Sequence, residues 1–307
     1  MTGPLIGVVG PTASGKTDLA LALARRVPVE ILVADSRQVY RGMDVGTAKP
    51  DAAARAAVPH HLLDLVAPDE PFSVAQWVAR ARQLVREVGE RGRIPMLVGG
   101  TGLYVEALLA GHDYEAQAWS PDRRDAILER LETDGLEPLA GELAARAPAI
   151  AAATDLHNPR RVVRALERLE GGTEPPTARP FEGRVALIGL SRPPDVLAAR
   201  IEQRAREMFE HRGLLDEVRR LLDAGYGPDL RPMTGHGYRE AARHLAGEWS
   251  LEQAIEVTIR RTRQYAKRQR TWFRREPRIM WLPAGTGPAD APSLVTGAER
   301  LVRAALS

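Results

Sequence analysis

The 307-residue chain contains no cysteine, which excludes disulfides and thiolate-held metals and points to the cytoplasm. Lysine is nearly absent. Lys16, Lys49 and Lys267 are the only three, so 40 of the 43 basic residues are arginine. Where arginine has displaced lysine so thoroughly, the survivors are expected at positions that need a compact ammonium. No apolar run approaches the roughly eighteen residues of a membrane span. The first strand pattern begins within a few residues of Met1, so we expect no secretory leader either. Net charge is only +3 although the isoelectric point is about 9.4; where the basic residues cluster therefore matters more than their number. With 44% hydrophobic and 27% charged residues, the chain reads as one large globular domain plus a smaller one.

The most informative segment is Gly10-Pro11-Thr12-Ala13-Ser14-Gly15-Lys16-Thr17, a complete G-x-x-x-x-G-K-[ST] phosphate-binding loop. It follows the apolar run Leu5–Val9 and opens the helical pattern Lys16–Arg26. Strand, glycine loop and helix in that order give the motif its structural context. The loop's backbone N–H groups and the helix N-terminus suit an anion. Lys16 reaches the outer phosphate, and the Thr17 hydroxyl is the expected Mg²⁺ ligand.

Further strands are expected at Glu30–Ala34, Ile94–Val98, Arg184–Leu190 and Arg278–Leu282, with helices at Ser73–Gly89 and Gly102–Leu109. This alternation predicts an α/β fold: a P-loop NTPase-like parallel sheet flanked by helices, with ligands at the carboxyl ends of the strands. From 119 to 180 the pattern turns helical (Pro121–Thr133, Leu136–Arg146, Pro159–Glu170) and ends in a Gly/Pro loop, Gly171–Pro176. We read 119–180 as a helical insertion in a catalytic domain formed by 1–118 and 181–282. Helical C-terminal stretches follow at Val196–Gly225 and Ser250–Arg275, and then a tail, 283–307, expected to be partly flexible from its Gly/Pro/Ala-rich start.

Two strand ends carry polar groups. Ile31–Ala34 leads into Asp35-Ser36-Arg37-Gln38; Asp35 there suits a general base or a water-mediated Mg²⁺ ligand, or merely caps a helix. Ile94–Val98 leads into Gly99-Gly100-Thr101-Gly102, which admits either close approach of a ligand or an ordinary tight turn capped by Thr101. His60 and His61 are adjacent, point to opposite faces of a strand, and so suit structural roles better than a metal.

The C-terminal helix is the second strong signal. Arg260, Arg263, Lys267, Arg270 and Arg274 recur at helical spacing, and no acidic residue lies between Glu256 and Glu276. Like charges in a row call for a polyanion or for acidic neighbours, and the run without acidic residues favours nucleic acid. Tyr265 and Trp272 interleave with the stripe and could stack on bases.

Taken together, GPTASGKT (10–17), ADSRQVYRGMDVGTAKP (34–50), PHHLLD (59–64), VGGTGLY (98–104), NPRRVVRALE (158–167), GYRE (237–240) and RQYAKRQRTWFR (263–274) resemble the bacterial tRNA dimethylallyltransferases in order along nearly the whole chain. The resemblance implies transfer of a dimethylallyl group from dimethylallyl diphosphate to the exocyclic amine of the adenosine 3′-adjacent to the anticodon, in tRNAs reading codons that begin with U. It makes residues 10–17 the diphosphate grip, Asp35 the base, and Lys16, Arg239 and Mg²⁺ the stabilisers of the leaving diphosphate. It places Asp35, Ser36, Arg37, Gln38 and Thr101 around a flipped adenosine. Arg123, Arg124, Pro159, Arg160, Arg161, Val162 and Val163 fall on the anticodon stem-loop, with Arg263, Lys267 and Arg270 also on tRNA. Residues 232–236, before GYRE, depart from the family pattern. A monomer without membrane contact is expected. The alternatives are an adenylate isopentenyltransferase acting on free AMP, ADP or ATP, and a small-molecule P-loop kinase.

Overall fold

The computed structural model describes residues 3–111, 121–171 and 180–307. Its six strands are β1 (Leu5–Val9), β2 (Val29–Ala34), β3 (His60–His61), β4 (Ile94–Gly99), β5 (Val185–Ser191) and β6 (Ile279–Pro283). They form one parallel sheet in the order β3-β2-β4-β1-β5-β6. β1, β2 and the inner positions of β4 and β5 are buried, which is why they read as continuous apolar runs rather than as alternations.

The helices around the sheet are α1 (Lys16–Ala24), α2 (Ala52–Ala57), α3 (Val74–Glu90) and α4 (Gly102–Ala110). Those of the inserted segment are α5 (Pro121–Asp134), α6 (Leu136–Arg146), α7 (Pro148–Ala152) and α8 (Pro159–Glu170). The C-terminal part supplies α9 (Pro194–Glu210), α10 (Leu214–Asp223), α11 (Tyr238–Leu245), α12 (Leu251–Phe273) and α13 (Pro292–Leu306). One core joins Ile6 and Val8 of β1, Leu19 and Leu23 of α1, Ile31 and Val33 of β2, and Val295 and Val302 of α13. Trp77 of α3 is wholly buried, donates its ring N–H to the Val33 carbonyl, and stacks on Tyr104 of α4.

The chain divides into two compact units, residues 1–109 with 181–307, and residues 110–180. The second has its own core, in which Ile127, Leu139, Leu143, Val162, Val163 and Leu166 are buried. The loop expected at 171–176 and the start of the insertion at 119 fall largely outside the described residues. The tail, read from sequence as partly flexible, contains α13. α13 buries Val295, Ala298 and Val302, and the loop before it buries Ala289. That loop is ordered by buried Arg192, which donates to the carbonyls of Ala284, Gly285 and Gly287. A Gly/Pro-rich sequence says nothing about carbonyls being satisfied by a side chain 90 residues away. Among the described residues no helix is long and apolar enough to cross a membrane.

Candidate active site

A cavity of about 750 Å³ opens at the carboxyl ends of the strands and is lined by Thr12, Lys16, Asp35, Lys49, Arg200 and Arg204, among others. The loop between β1 and α1 forms one wall. Its left-handed residues are Gly10 (φ 141°), Ala13 (φ 62°) and Gly15 (φ 98°). A β-carbon on Gly15 would collide with Ala289, so this glycine is required by both torsion and space. Gly15 is also the N-cap of α1 and has no side chain to cap it. The first N–H groups of α1 are therefore left for an anion.

Around this loop the protein assembles cations. Lys16 donates to the Pro11 carbonyl at 2.7 Å. Burial, reinforced by nearby Arg204, lowers its ammonium to about 8, against a smaller opposing pull from Asp35. Arg204 of α9 donates to the Thr12 hydroxyl at 2.5 Å, and burial lowers its guanidinium to about 10. Arg200, one turn earlier, donates to the Ala13 carbonyl at 2.9 Å. Arg192 donates to the Ser14 carbonyl at 2.7 Å. Among the described residues none of these four is in an ion pair with a carboxylate within 4 Å. Ser14 is fully buried and its hydroxyl has no partner. Desolvated cations and an orphaned hydroxyl around one loop fit a polyanion with several oxygens.

The opposite wall begins at Asp35, which accepts from the backbone N–H of Arg37 at 2.8 Å. Thr101 ties the two strand ends together: its N–H donates to Ala34 and its hydroxyl accepts from the Ser36 N–H at 3.0 Å. Gln38 and Arg37 are held by the carbonyls of Thr47 and Arg231. The segment from Asp44 to Lys49 is fixed twice. Buried Glu217 of α10 accepts from the N–H groups of Asp44, Val45 and Gly46 and from the Tyr238 hydroxyl. The Lys49 ammonium, also buried, contacts Asp44, Asp64 and the Tyr40 carbonyl.

α12 closes the site with its inner face. Gln269 is 6% exposed and bridges two loops. Its Oε1 accepts from the Thr12 N–H and its Nε2 donates to the Gly100 carbonyl, both at 2.8 Å. A β-carbon on Gly100 would strike that amide. Tyr265 turns inward as well, hydrogen-bonded to Thr101 and pushed up to about 12, chiefly by burial. His236 packs beside it, its ring 5.4 Å from the Tyr265 ring.

Of the residues singled out from sequence, Thr12, Ala13, Gly15, Lys16, Thr17, Asp35 and Gln38 line the cavity, while Ser36, Arg37 and Thr101 lie beside it through the hydrogen bonds above. Arg239 is not among the residues lining the cavity and is exposed. Arg200 and Arg204 stand where its charge was expected, and nothing distinguished them in an arginine-rich sequence. Tyr265 does not interleave with the outer stripe, because its ring fills the space beside Thr101. Val162 and Val163 are buried in the core of the helical unit. An amphipathic helix cannot offer to RNA the side chains that make its core. In the same unit Arg124 is held by Glu167 at 2.9 Å, whereas Pro159, Arg160 and Arg161 are exposed. On α12, Arg263 pairs with Glu202 at 3.0 Å, Lys267 is exposed and Arg270 half-buried. His60 and His61 bond to the Val58 carbonyl and the Glu30 carboxylate, which are structural roles.

Thr17 is exposed at the start of α1, on the cavity. Among the described residues no cluster of three or more acidic or imidazole groups could hold a metal. One hydroxyl without a carboxylate cage suits an ion that arrives with phosphate oxygens and keeps its waters, as Mg²⁺ does.

A family model described as IPP transferase matches residues 38–276. The tRNA dimethylallyltransferase of Syntrophobacter fumaroxidans is 45% identical over 307 residues, spanning 98% of this chain and 87% of its own. That of Thermus thermophilus is 45% identical over 283 residues, spanning 91% and 92%. Of solved structures, the full-length tRNA isopentenylpyrophosphate transferase of Bacillus halodurans superposes with a TM-score of 0.75 at 38% identity, covering 99% of this chain and 97% of that one. A eukaryotic dimethylallyltransferase acting on tRNA gives 0.77 at 26% identity, covering 92% and 74%. With more than half its length matched by the family model and two relatives this similar end to end, the chain belongs to the IPP transferase family.

Proposed function

We propose that the chain is a tRNA dimethylallyltransferase whose donor is dimethylallyl diphosphate. Its acceptor is the exocyclic amine of the adenosine 3′-adjacent to the anticodon, in tRNAs reading codons that begin with U. The observation that carries this reading is the split character of the cavity. One wall presents the phosphate loop with Lys16, Arg200 and Arg204, none in an ion pair among the described residues. Of the carboxylates that line the cavity (Asp18, Asp35, Asp51 and Glu207), Asp35 is the one whose field both Lys16 and Arg204 feel. A diphosphate belongs on the first wall and an amine that must lose a proton belongs beside Asp35.

The amine nitrogen forms a bond to the allylic carbon as the carbon–oxygen bond to diphosphate breaks. Asp35 accepts the amine proton, since an aromatic amine is a poor nucleophile until that proton has somewhere to go. Negative charge builds on the leaving diphosphate, where Lys16, Arg204 and the first N–H groups of α1 stabilise it without reorganising. Mg²⁺, held by Thr17 and the diphosphate, would neutralise further charge. Thr101, fixed by Ser36 and Tyr265, positions the acceptor adenosine. Lys267, Arg270, Arg160 and Arg161 contact the anticodon stem-loop. The protein acts as a cytoplasmic monomer on an RNA presented in that compartment.

The test supplies labelled dimethylallyl diphosphate and Mg²⁺ without ATP, offering tRNA from a strain lacking the modification and AMP in parallel. Label in tRNA with release of diphosphate is expected. Label in AMP alone would replace this reading with nucleotide prenylation, and label in neither would sink it.

A further inference from the structure

Among the described residues the exposed large hydrophobics are Leu103, Ile150 and Trp272, and two of the three, Leu103 and Trp272, meet at Gly102. Trp272, on the last turn of α12, is 39% exposed, and Leu103, in the first turn of α4, is 43% exposed. The indole lies against Gly102, so closely that a β-carbon there would overlap it. Gly102 is the immediate neighbour of both Leu103 and Thr101, and Thr101 is hydrogen-bonded to Ser36 and Tyr265. The apolar pair therefore sits one residue from the acceptor side of the cavity.

The surroundings are cationic. Arg268, one turn before Trp272 on the same face, is exposed with its guanidinium over the Tyr265 ring, and Arg274 and Arg275 follow just after, also exposed. None of these three is in an ion pair among the described residues. The next carboxylate in the chain, Glu276, is taken by Arg278 at 2.7 Å; the exposed Glu106 lies a turn further into α4. An exposed indole and leucine ringed by unpaired guanidiniums is poor material for a protein partner of ordinary acidity. It is well matched to a nucleic acid, whose bases stack on aromatic faces while its phosphates meet arginine.

We infer that Trp272 and Leu103 form a stacking platform for a nucleobase directly flanking the target adenosine, holding the strand open while the target lies in the cavity. This rests on the tRNA reading above. A base drawn out of its stack leaves its neighbour with one bare face, and the platform supplies a surface for that face. Trp272 acts on binding of the strand and touches no reacting atom.

The experiment measures kcat and KM for an anticodon stem-loop with wild type, Trp272→Ala, Trp272→Phe and Leu103→Ser, each checked for folding by thermal melting. Each is also assayed on stem-loops abasic immediately 5′ or 3′ of the target. Trp272→Ala is expected to raise KM for the intact stem-loop by about five- to hundredfold, the usual range for removing a base–aromatic stack, with a much smaller change in kcat. Trp272→Phe should keep most of the affinity. Removing the base at one of the two flanks should raise the wild-type KM similarly, and Trp272→Ala should add little to that effect. A KM within about twofold of wild type for Trp272→Ala, or full multiplication of the two effects at both flanks, would overturn the platform. If Trp272→Ala does not fold, Leu103→Ser carries the test: a KM that falls short of any increase on the intact stem-loop overturns it. Failure of the wild type to modify the intact stem-loop would remove the tRNA reading itself, a result distinct from transfer that ignores Trp272.

Discussion

Arg204 and Arg206 stand two residues apart on α9, and their surroundings move their guanidiniums in opposite directions. Arg204 faces the cavity, bonds to the neutral Thr12 hydroxyl, and is lowered to about 10 by burial. Arg206 faces outward, grips the Glu252 carboxylate with both its terminal nitrogens at 3.0 and 2.6 Å, and is raised by that hydrogen bond. The second pairing is a solvent-facing ion pair of the kind that contributes little to stability. The first leaves positive charge buried with no ion pair among the described residues, its cost offset only in part by the Thr12 hydroxyl and the more distant Asp35. α12 repeats the contrast more weakly, with Arg263 paired to Glu202 while Lys267 is exposed and has no ion pair among the described residues.

The largest effect should come from Asp35, the cavity carboxylate whose field both Lys16 and Arg204 feel. Asp35→Ala is expected to lower kcat by about 10²–10⁴-fold while tRNA affinity stays within a few-fold, read by single-turnover transfer and filter binding. Unchanged turnover would remove Asp35 as the base. Gln269→Ala cuts the bridge between Thr12 and Gly100 without touching a charge, and should cost roughly tenfold in kcat by loosening the spacing of the two walls. Equal kinetics would mean that the loops hold their places without it. Replacing Arg263, Lys267 and Arg270 together should weaken tRNA binding. The log–log salt slope should fall by about 0.7–0.9 for each phosphate no longer neutralised, with Arg263 contributing least because Glu202 already holds it. A salt slope identical to wild type would make the outer stripe ordinary solvated surface.

The smallest effect concerns Lys16. Its ammonium sits at about 8, so affinity for inorganic pyrophosphate should decline in the wild type as pH rises through that value. Lys16→Arg, which stays charged, should show less decline. Because the folded value lies below the ordinary lysine value of 10.5, the unfolded chain holds more protons between the two, and this group makes the unliganded protein more stable as pH climbs across that window. Isothermal titration across the pH range checks the first statement, and matched melting curves of wild type and Lys16→Met the second.

Much of this site was legible because its chemistry is written in backbone spacing. The phosphate loop needs glycines at fixed intervals between a strand and a helix, and Asp35 follows the next buried strand. The cations were not legible. Arg192, Arg200 and Arg204 are three arginines among 40, and only the packing of α9 and β5 against the loop singles them out. Lysine scarcity was more telling: Lys16 lies in the cavity and Lys49 is buried among Asp44, Asp64 and a carbonyl. Tyr265 was misplaced because helical spacing puts it on the border between the outer stripe and the face of Thr262, Ala266 and Gln269, and only the position of Thr101 decides which way it turns. Val162 and Val163 were placed on the anticodon stem-loop by the family resemblance, although their apolar side chains belong to the core of the helical unit.

The central claim is that charge left unpaired in the cavity is the diphosphate site. Calorimetric binding of inorganic pyrophosphate with Mg²⁺ to wild type, Arg204→Gln and Arg206→Gln tests it most directly. The account predicts at least about tenfold weaker binding for Arg204→Gln, the effect expected on removing one buried charge-assisted hydrogen bond, and little change for Arg206→Gln. Equal affinities for the two variants would contradict it.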